Sequence, residues 1–308
     1  MNQLAIIIPY YKISFFKETL ESVENQTCKD FSLFIGNDAS PENPEILIKE
    51  TLKTTEFTYK EYTENFGSQN LVKQWERCIE SSAAGEWFMI LGDDDIISDN
   101  FVAQFYKNLP EIEQNKSNVI KFSQRWIDEN GQPFKEYSVQ PKLLTALENW
   151  KEKYIKGQRS SLSEHIFRKS AYEKVKFRHF PLAWGTDDLA VFEISGTAPV
   201  YFISDAKVEV RISSQSISGS GELYLEKQRH AISFETYFIN KYHQQLPKEF
   251  ISDKINQQIN FAFHHRYSDL KFNLVKYYWL LKDYKSLVKI PLTYFKIFFN
   301  NPKTVNNY

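Results

Sequence analysis

Four apolar runs separated by helix-periodic segments fill residues 4–91, and this alternation constrains the fold more than any other feature of the chain. Leu4-Ala5-Ile6-Ile7-Ile8 is continuously apolar, as expected of a strand covered on both faces. Ser14 to Gln26 predicts a helix with Phe15, Phe16, Leu20 and Val23 on one side. Phe31 to Ile35 predicts a second strand, ended by Gly36-Asn37-Asp38. A helix from Pro44 to about Lys53, a strand over Phe57 to Tyr62, and a helix over Gly67 to Ala83 follow. The last has Leu71, Trp75, Cys78 and Ile79 on its apolar face. Trp87 to Leu91 predicts the fourth strand. The order β-α-β-α-β-α-β implies an α/β protein with a mostly parallel sheet and helices on both faces. Such sheets bind ligands beyond the carboxyl ends of their strands. Those ends carry Pro9-Tyr10-Tyr11, Asn37-Asp38, Glu61-Tyr62 and Asp93-Asp94-Asp95.

Further on, Asn118 to Ile127, His165 to Phe167, Val200 to Ile203 and Val208 to Ile212 predict strands, and Leu143 to Lys156 and Leu189 to Ser195 predict helices. Ser213 to Gly221, rich in Ser and Gly, predicts a mobile loop. Helical patterns return at Glu222 to Tyr242, Ser252 to Tyr267 and Lys271 to Tyr284. A boundary near residue 220 divides a sheet-containing domain, 1–220, from a C-terminal helical region, 221–308. There is no internal repeat.

Composition narrows the classes. The 308 residues are 42% hydrophobic and carry 38 basic and 39 acidic side chains, a net charge of -1. That excludes a disordered chain and argues against a nucleic-acid binder. Two cysteines, Cys28 and Cys78, fit neither a disulfide scaffold nor a metal motif and suit reduced thiols in the cytoplasm. Residues 1–12 lack the features of a signal peptide, and no apolar stretch is long enough to span a bilayer.

Gly92-Asp93-Asp94-Asp95 is the sharpest chemical feature. Three adjacent carboxylates repel one another and are tolerable where a hard divalent cation neutralises them. Taken alone, the triplet also suits a solvated acidic turn that caps the next helix.

Five segments extend the argument, in this order: Ile6-Ile7-Ile8-Pro9-Tyr10-Tyr11-Lys12; Gly36-Asn37-Asp38-Ala39-Ser40; Asn65-Phe66-Gly67; Ala84-Gly85-Glu86-Trp87 leading into Leu91-Gly92-Asp93-Asp94-Asp95; and Trp184-Gly185-Thr186-Asp187-Asp188. Together they resemble the family 2 glycosyltransferases, which have the GT-A fold, a Rossmann-like, mostly parallel sheet flanked by helices. The resemblance implies that Tyr11, with the Pro9-Tyr10 backbone, holds a uracil ring and that Asp38 accepts from the ring N–H. Asn65 joins the nucleotide-sugar site. Aligned on Leu91, Asp93 stands where a ribose contact is expected, Asp94 takes the main position for Mn²⁺ or Mg²⁺, and Asp95 is a second ligand or supports the first. A plain Asp-x-Asp count selects Asp93 and Asp95 instead. Asp188 is the implied base, with Asp187 as the neighbouring alternative, and Trp184 and His179 could line the acceptor site. As a bare dipeptide, Asp187-Asp188 also suits a helix cap.

Two positions depart from the family pattern. Gly92 stands where the first Asp usually stands. Ser213 replaces the His of Arg-x-His, which leaves Arg211 to pair with the diphosphate and puts a third protein contact to the metal in doubt.

Residues 271–308 hold seven lysines, one acid and ten aromatic residues, a charge of +6 against -7 for the remainder. This suits an interfacial contact with anionic lipid; packing on the catalytic domain or a homodimer contact are the alternatives. The resemblance therefore implies an inverting transferase that moves sugar from a UDP-sugar to a glycan or lipid-linked glycan, forming a β-glycosidic bond. Capsule or O-antigen assembly at the inner face of the cell membrane is the implied setting. A non-catalytic nucleotide-sugar-binding subunit is the rival. A nucleotidyltransferase is disfavoured because no Gly-rich phosphate loop follows the first strand.

Overall fold

The structure, a computed structural model, describes residues 3–82, 85–137, 139–216, 219, 221 and 224–265. The chain runs β1 (Leu4–Tyr10), α1 (Phe16–Glu24), β2 (Phe31–Asn37), α2 (Glu45–Thr51), β3 (Phe57–Glu61), α3 (Gly67–Ser81), β4 (Trp87–Ile90), β5 (Ile96–Ile97) and α4 (Phe101–Gln114). It continues through β6 (Val119–Ile127), β7 (Pro133–Glu136), β8 (Leu143–Leu144), α5 (Ala146–Tyr154), β9 (His165–Arg168) and α6 (Lys169–Val175). After a 3-10 turn at Pro181–Ala183 come α7 (Thr186–Ser195), β10 (Val200–Arg211), α8 (Tyr224–Tyr242) and α9 (Lys248–His264).

The strands form one sheet in the order β3-β2-β1-β4-β9-β6-β10-β5, with β7 added to β6 and β8 to β10. Strands β3, β2, β1 and β4 are mutually parallel. Strand β9 enters antiparallel between β4 and β6, and β6 and β10 are parallel again. This is the α/β architecture that the first 91 residues predict.

The continuous apolar run of β1 has a direct cause. Leu4, Ile6 and Ile8 point into one core with Phe16, Leu20 and Val23 of α1 and Phe101, Val102 and Phe105 of α4. Ala5 and Ile7 point into the opposite core with Val72, Trp75, Cys78 and Ile79 of α3 and Val191 and Ile194 of α7. Each buried Ile contributes about 1.5–3 kcal/mol of transfer free energy, so both faces need covering before the strand is stable. Helices on the two faces leave the carboxyl ends of β1, β2 and β4 uncovered at one edge.

Several local expectations change. Leu143 to Lys156 is not one helix. Leu143–Leu144 pair with β10, and Thr145 caps α5 in a capping box: the Glu148 N–H donates to its hydroxyl at 3.2 Å and its own N–H donates to the Glu148 carboxylate at 2.8 Å. The two strands expected at Val200 to Ile203 and Val208 to Ile212 are the single β10, whose register against β6 jumps between Ile203 and Lys207. Residues 101–114, which no sequence pattern assigned, form α4 with its apolar face on the first core. Helix α9 begins at Lys248 rather than Ser252, directly after Pro247. The helix expected at Lys271 to Tyr284 lies outside the described residues.

The chain divides into two compact units between Phe234 and Glu235. Within the second, Lys254 pairs with Glu235 at 2.5 Å and the Gln258 amide donates to Glu235 at 3.2 Å, tying the end of α8 to α9. Among the described residues, no helix is long and apolar enough to cross a membrane.

Candidate active site

A cavity of about 400 Å³ opens at the carboxyl ends of β1, β2 and β4. Pro9, Tyr10, Tyr11, Asp38, Asn65, Asp93, Asp94, Asp95 and Arg211 all line it, so sheet topology brings together residues spread over two hundred positions of sequence.

At the end of β1 the two tyrosines divide. Tyr10 is buried against Phe16, with ring centroids 4.6 Å apart, and its hydroxyl donates to the Glu42 carbonyl at 2.9 Å. Its main-chain carbonyl accepts the Asp38 N–H at 3.0 Å, which locks β1 to β2 at the cavity floor. Tyr11 is 38% exposed, so its ring is the one open to the cavity.

Asp38 is buried and held by three donors. The N–H groups of Phe66 and Gly67 donate to its two oxygens at 2.9 and 2.7 Å, and Arg77 pairs with Oδ1. The Arg77 guanidinium lies 3.9 Å over the Tyr62 ring and 4.3 Å over Phe66. Burial raises the Asp38 carboxyl above its ordinary value while these donors oppose the rise. A side chain at Gly67 would sit 2.5 Å from Asp38 Oδ2, so the Asn65-Phe66-Gly67 turn needs glycine to approach this carboxylate. Asn65 accepts the Ser68 N–H at 2.8 Å and thereby opens α3.

The three acids after β4 have different surroundings. Asp93 Oδ2 accepts the N–H groups of Tyr11 and Lys12 at 2.7 and 2.8 Å, and so shapes the turn after β1. Asp95 is buried: Ser163 donates to Oδ2 at 2.5 Å and the Arg211 N–H to Oδ1 at 3.0 Å. Burial raises it to about 6 despite both donors. The Asp94 carboxylate has neither of these supports. Burial and its two acidic neighbours raise it well above its ordinary value. An acid raised by burial and by like charge is one that a cation stabilises, and Asp94 lines the cavity. A Cβ at Gly92 would lie 2.9 Å from Asp95 Oδ2 and 3.1 Å from Asp94 Oδ1. Glycine here gives the acids room, which accounts for the departure at this position. Among the described residues no group of three or more His, Cys, Asp or Glu side chains converges as a metal site. Both Asp95 oxygens already accept hydrogen bonds from Ser163 and Arg211, so Asp94 is the acid of this turn that could meet a hard cation directly, the rest of the shell coming from non-protein oxygens.

Arg211 lines the cavity with its side chain held by protein partners. Its side chain is 0% exposed. Nε donates to the Asp94 carbonyl at 3.0 Å, Nη1 to the Asp128 carbonyl at 3.0 Å, and Nη2 to Glu18 at 2.5 Å. The guanidinium thus braces the acidic turn from protein acceptors at the cavity edge. Ser213, in the place of the family's His, is buried in a turn with Ser216, whose N–H donates to its hydroxyl at 3.1 Å.

The second acid pair opens α7. Asp188 is fixed: Lys153 of α5 donates to its two oxygens at 2.5 and 2.6 Å, and the Tyr154 hydroxyl donates to Oδ2 at 2.7 Å. Asp187 shares none of these donors. Burial and the charge of Asp188 raise it to about 6. Asp188 lines a small pocket and Asp187 lines neither that nor the large cavity, so the two acids of one helix turn have different surroundings. Neither acid lines the large cavity, nor does Trp184; Ser161, Leu162 and Ser163 do, while the adjoining Ser160 lines a small pocket with Lys153 and Asp188. The pair stands one loop away from that cavity. His179 pairs with Glu76 of α3 at 2.8 Å and serves the scaffold.

Lys121, Lys153, Tyr154, Glu164 and Arg77 escaped the sequence reading. Two of them had a signal: Lys121 interrupts the apolar run of β6, and Glu164 directly precedes that of β9. Lys121 and Glu164 are buried 3.9 Å apart, and Glu164 accepts from Ser160, Ser161 and Gln124, which holds the loop between cavity and acid pair.

The sequence profile of Glycosyl transferase family 2 matches residues 5–176, more than half the chain. The chain belongs to glycosyl transferase family 2. Among curated proteins, none matches the sequence. Solved structures share the family's fold. TarS 1-349 of S. aureus in complex with UDP-GlcNAc aligns with a TM-score of 0.60 at 16% identity, over 96% of this chain and 92% of that one. The same protein in complex with UDP aligns with a TM-score of 0.55 at 15% identity, over 96% and 91%. GalNAc-T7 with UDP, GalNAc and Mn²⁺ aligns with a TM-score of 0.51 at 12% identity, over 82% of this chain and 54% of that one. The TarS likenesses cover more of the chain than the matched profile does.

Proposed function

We propose that this chain transfers a sugar from a UDP-sugar to a hydroxyl of a glycan or lipid-linked glycan, with inversion, forming a β-glycosidic bond. The observation that carries this reading is the convergence of Tyr11, Asp38 and the Asp93–Asp95 turn on one cavity, with the acids of α7 behind the adjoining loop. Binding of UDP and UDP-GlcNAc by TarS, and of UDP with Mn²⁺ by GalNAc-T7, supports the donor class and the metal.

The residues take roles accordingly. Tyr11 stacks on the uracil, Asp38 reads its ring N–H, and Asp93 and Asn65 border the ribose and diphosphate. Asp94, supported by Asp95, would hold Mn²⁺ or Mg²⁺, which when bound offsets charge on the departing diphosphate. Asp188, with Asp187 as the neighbouring alternative, takes the proton of the acceptor hydroxyl as its oxygen bonds to the anomeric carbon; the carbon–oxygen bond to UDP breaks, and UDP leaves with that electron pair. Trp184 borders the acceptor. Capsule or O-antigen-type polysaccharide is the product class, and residues 271–308, outside the described residues, would meet anionic lipid. Domains at 1–220 and 221–308 would divide catalysis from attachment.

The two departures from the family pattern, Gly92 and Ser213, are what would favour a non-catalytic subunit. Gly92 now has a packing reason, and an acid raised by burial and like charge, as Asp94 is, is costly to keep in a site without chemistry. The test is UDP release from a panel of UDP-sugars with Mn²⁺ and a mixed glycan acceptor. Release that requires both acceptor and the Asp187–Asp188 pair supports the transferase; tight UDP-sugar binding without release supports the binding subunit.

A further inference from the structure

We propose that Lys12 is a further donor-binding residue: its ammonium meets the diphosphate of the UDP-sugar and supplies a protein contact that Ser213, in the place of the family's His, does not. The inference rests on the transferase reading above and adds a residue to its donor site.

Among the described residues, the lysines and arginines that line the cavity are Lys12 and Arg211. They are held in opposite ways. The Arg211 side chain is 0% exposed, and its guanidinium donates to the Asp94 and Asp128 carbonyls and to Glu18. Lys12 is exposed, and its ammonium donates to the main-chain carbonyl of Gln215. That acceptor is neutral, so the contact does not cancel the charge of the lysine. The charge reaches Asp93 and Asp94 through space and opposes the rise that burial causes in both.

The backbone fixes where this cation stands. The Lys12 N–H donates to Asp93 Oδ2 at 2.8 Å, beside that of Tyr11 at 2.7 Å. The Ser40 hydroxyl donates to the Tyr11 carbonyl at 2.6 Å, so the peptide between Tyr11 and Lys12 is held at both ends. Lys12 therefore follows directly on the ring assigned to the uracil and is tied to the turn assigned to the metal. In a UDP-sugar the group between the nucleoside and the metal is the diphosphate. A lysine suits that place because it binds phosphate as a point charge on a flexible four-carbon stem.

The present acceptor of Lys12 is exchangeable. The segment that carries Gln215 has anchors of its own: Ser14 donates to the Gln215 side chain at 3.1 Å, and the Ser214 N–H and hydroxyl both donate to Glu129 at 2.7 Å. An anionic phosphate oxygen is a stronger acceptor for an ammonium than a neutral carbonyl, so nucleotide binding replaces one by the other. Ser213 offers no substitute, since it is buried and its hydroxyl accepts the Ser216 N–H at 3.1 Å.

The test titrates UDP and uridine into the full chain and into Lys12→Met and Lys12→Arg, in EDTA and again in Mn²⁺. Calorimetry reads UDP, and ligand-observed NMR reads the weaker uridine. Lys12→Met should weaken UDP binding about tenfold or more in both buffers, while uridine, which has no phosphate, stays within about twofold. Lys12→Arg, which keeps the charge, should hold UDP within about threefold of wild type. The deficit of Lys12→Met should shrink as NaCl rises from about 0.05 to about 0.5 M, because salt screens an exposed charge. Equal weakening of UDP and uridine overturns the proposal, since a lysine that only shapes the turn after β1 acts on both. Unchanged UDP affinity in Lys12→Met overturns it as well. Wild type that binds neither UDP nor uridine, with or without metal, overturns the nucleotide reading instead.

Discussion

The main-chain N–H of Arg211 donates to Asp95 Oδ1 at 3.0 Å, so the last residue of β10 holds an acid of the turn that follows β4. The same residue's Nε reaches the Asp94 carbonyl, and its guanidinium bridges to Glu18 on α1 and to the carbonyl of Asp128. One buried cation thus fixes the backbone beneath the cluster while the Asp94 carboxylate keeps its freedom. Arg211→Ala orphans buried carbonyl acceptors and should destabilise the protein by about 3 kcal/mol. Denaturant unfolding measures this. Arg211→Lys should recover little of it, because an ammonium cannot reach all three directions.

Gly92→Ala tests whether glycine is there for space. The new Cβ would lie 2.9 Å from Asp95 Oδ2, which Ser163 already holds. Crowding of this kind costs about 1–3 kcal/mol. The expected outcome is a Mn²⁺ affinity weakened at least tenfold with the fold retained, measured by calorimetry alongside circular dichroism. Unchanged affinity would mean that the acids do not share a metal at this turn.

Gly185→Ala should be more damaging than its size suggests. Alanine at φ +82° is strained by about 1–2 kcal/mol, and its Cβ would meet the Phe234 ring at 2.4 Å. Because Gly185 aims the first turn of α7, transfer should fall further than UDP binding does. Comparison of kcat with the UDP dissociation constant in this variant checks the separation.

Glu164 supplies a pH prediction. Burial raises its carboxyl to about 7 against the action of Lys121 and its serine donors. A raised carboxyl favours the folded state in its protonated form. Its contribution is fully present below about 4.5 and is lost as pH rises through about 7. Thermal stability should therefore decline across that window in wild type and decline less in Glu164→Gln. Parallel melting curves from pH 5 to 8 decide it; equal slopes would show that Glu164 stays ionised throughout.

Much of this arrangement was legible in sequence. The β-α alternation gave the sheet because a strand covered on both faces must be apolar throughout, as Leu4 to Ile8 are. Topology then forced Tyr11, Asp38 and Asp93–Asp95 onto one edge. The individual roles were not legible. Nothing in the segment around Arg211 distinguishes a guanidinium facing a phosphate from one buried against Glu18, since the partner lies 193 residues away. Asp187 and Asp188 read alike until α5 brings Lys153 and Tyr154 to one of them. Helix α4 was overlooked, with Pro110 inside it breaking the helical pattern.

Calorimetric titration of UDP in Mn²⁺ and in EDTA, on wild type and Asp94→Ala, tests the central claim most directly. Wild type should bind UDP at least tenfold more tightly with Mn²⁺, and Asp94→Ala should lose that gain while keeping the weaker metal-free binding through Tyr11 and Asp38. Equal affinity for UDP with and without metal in both proteins would contradict a metal-assisted nucleotide site at this cavity.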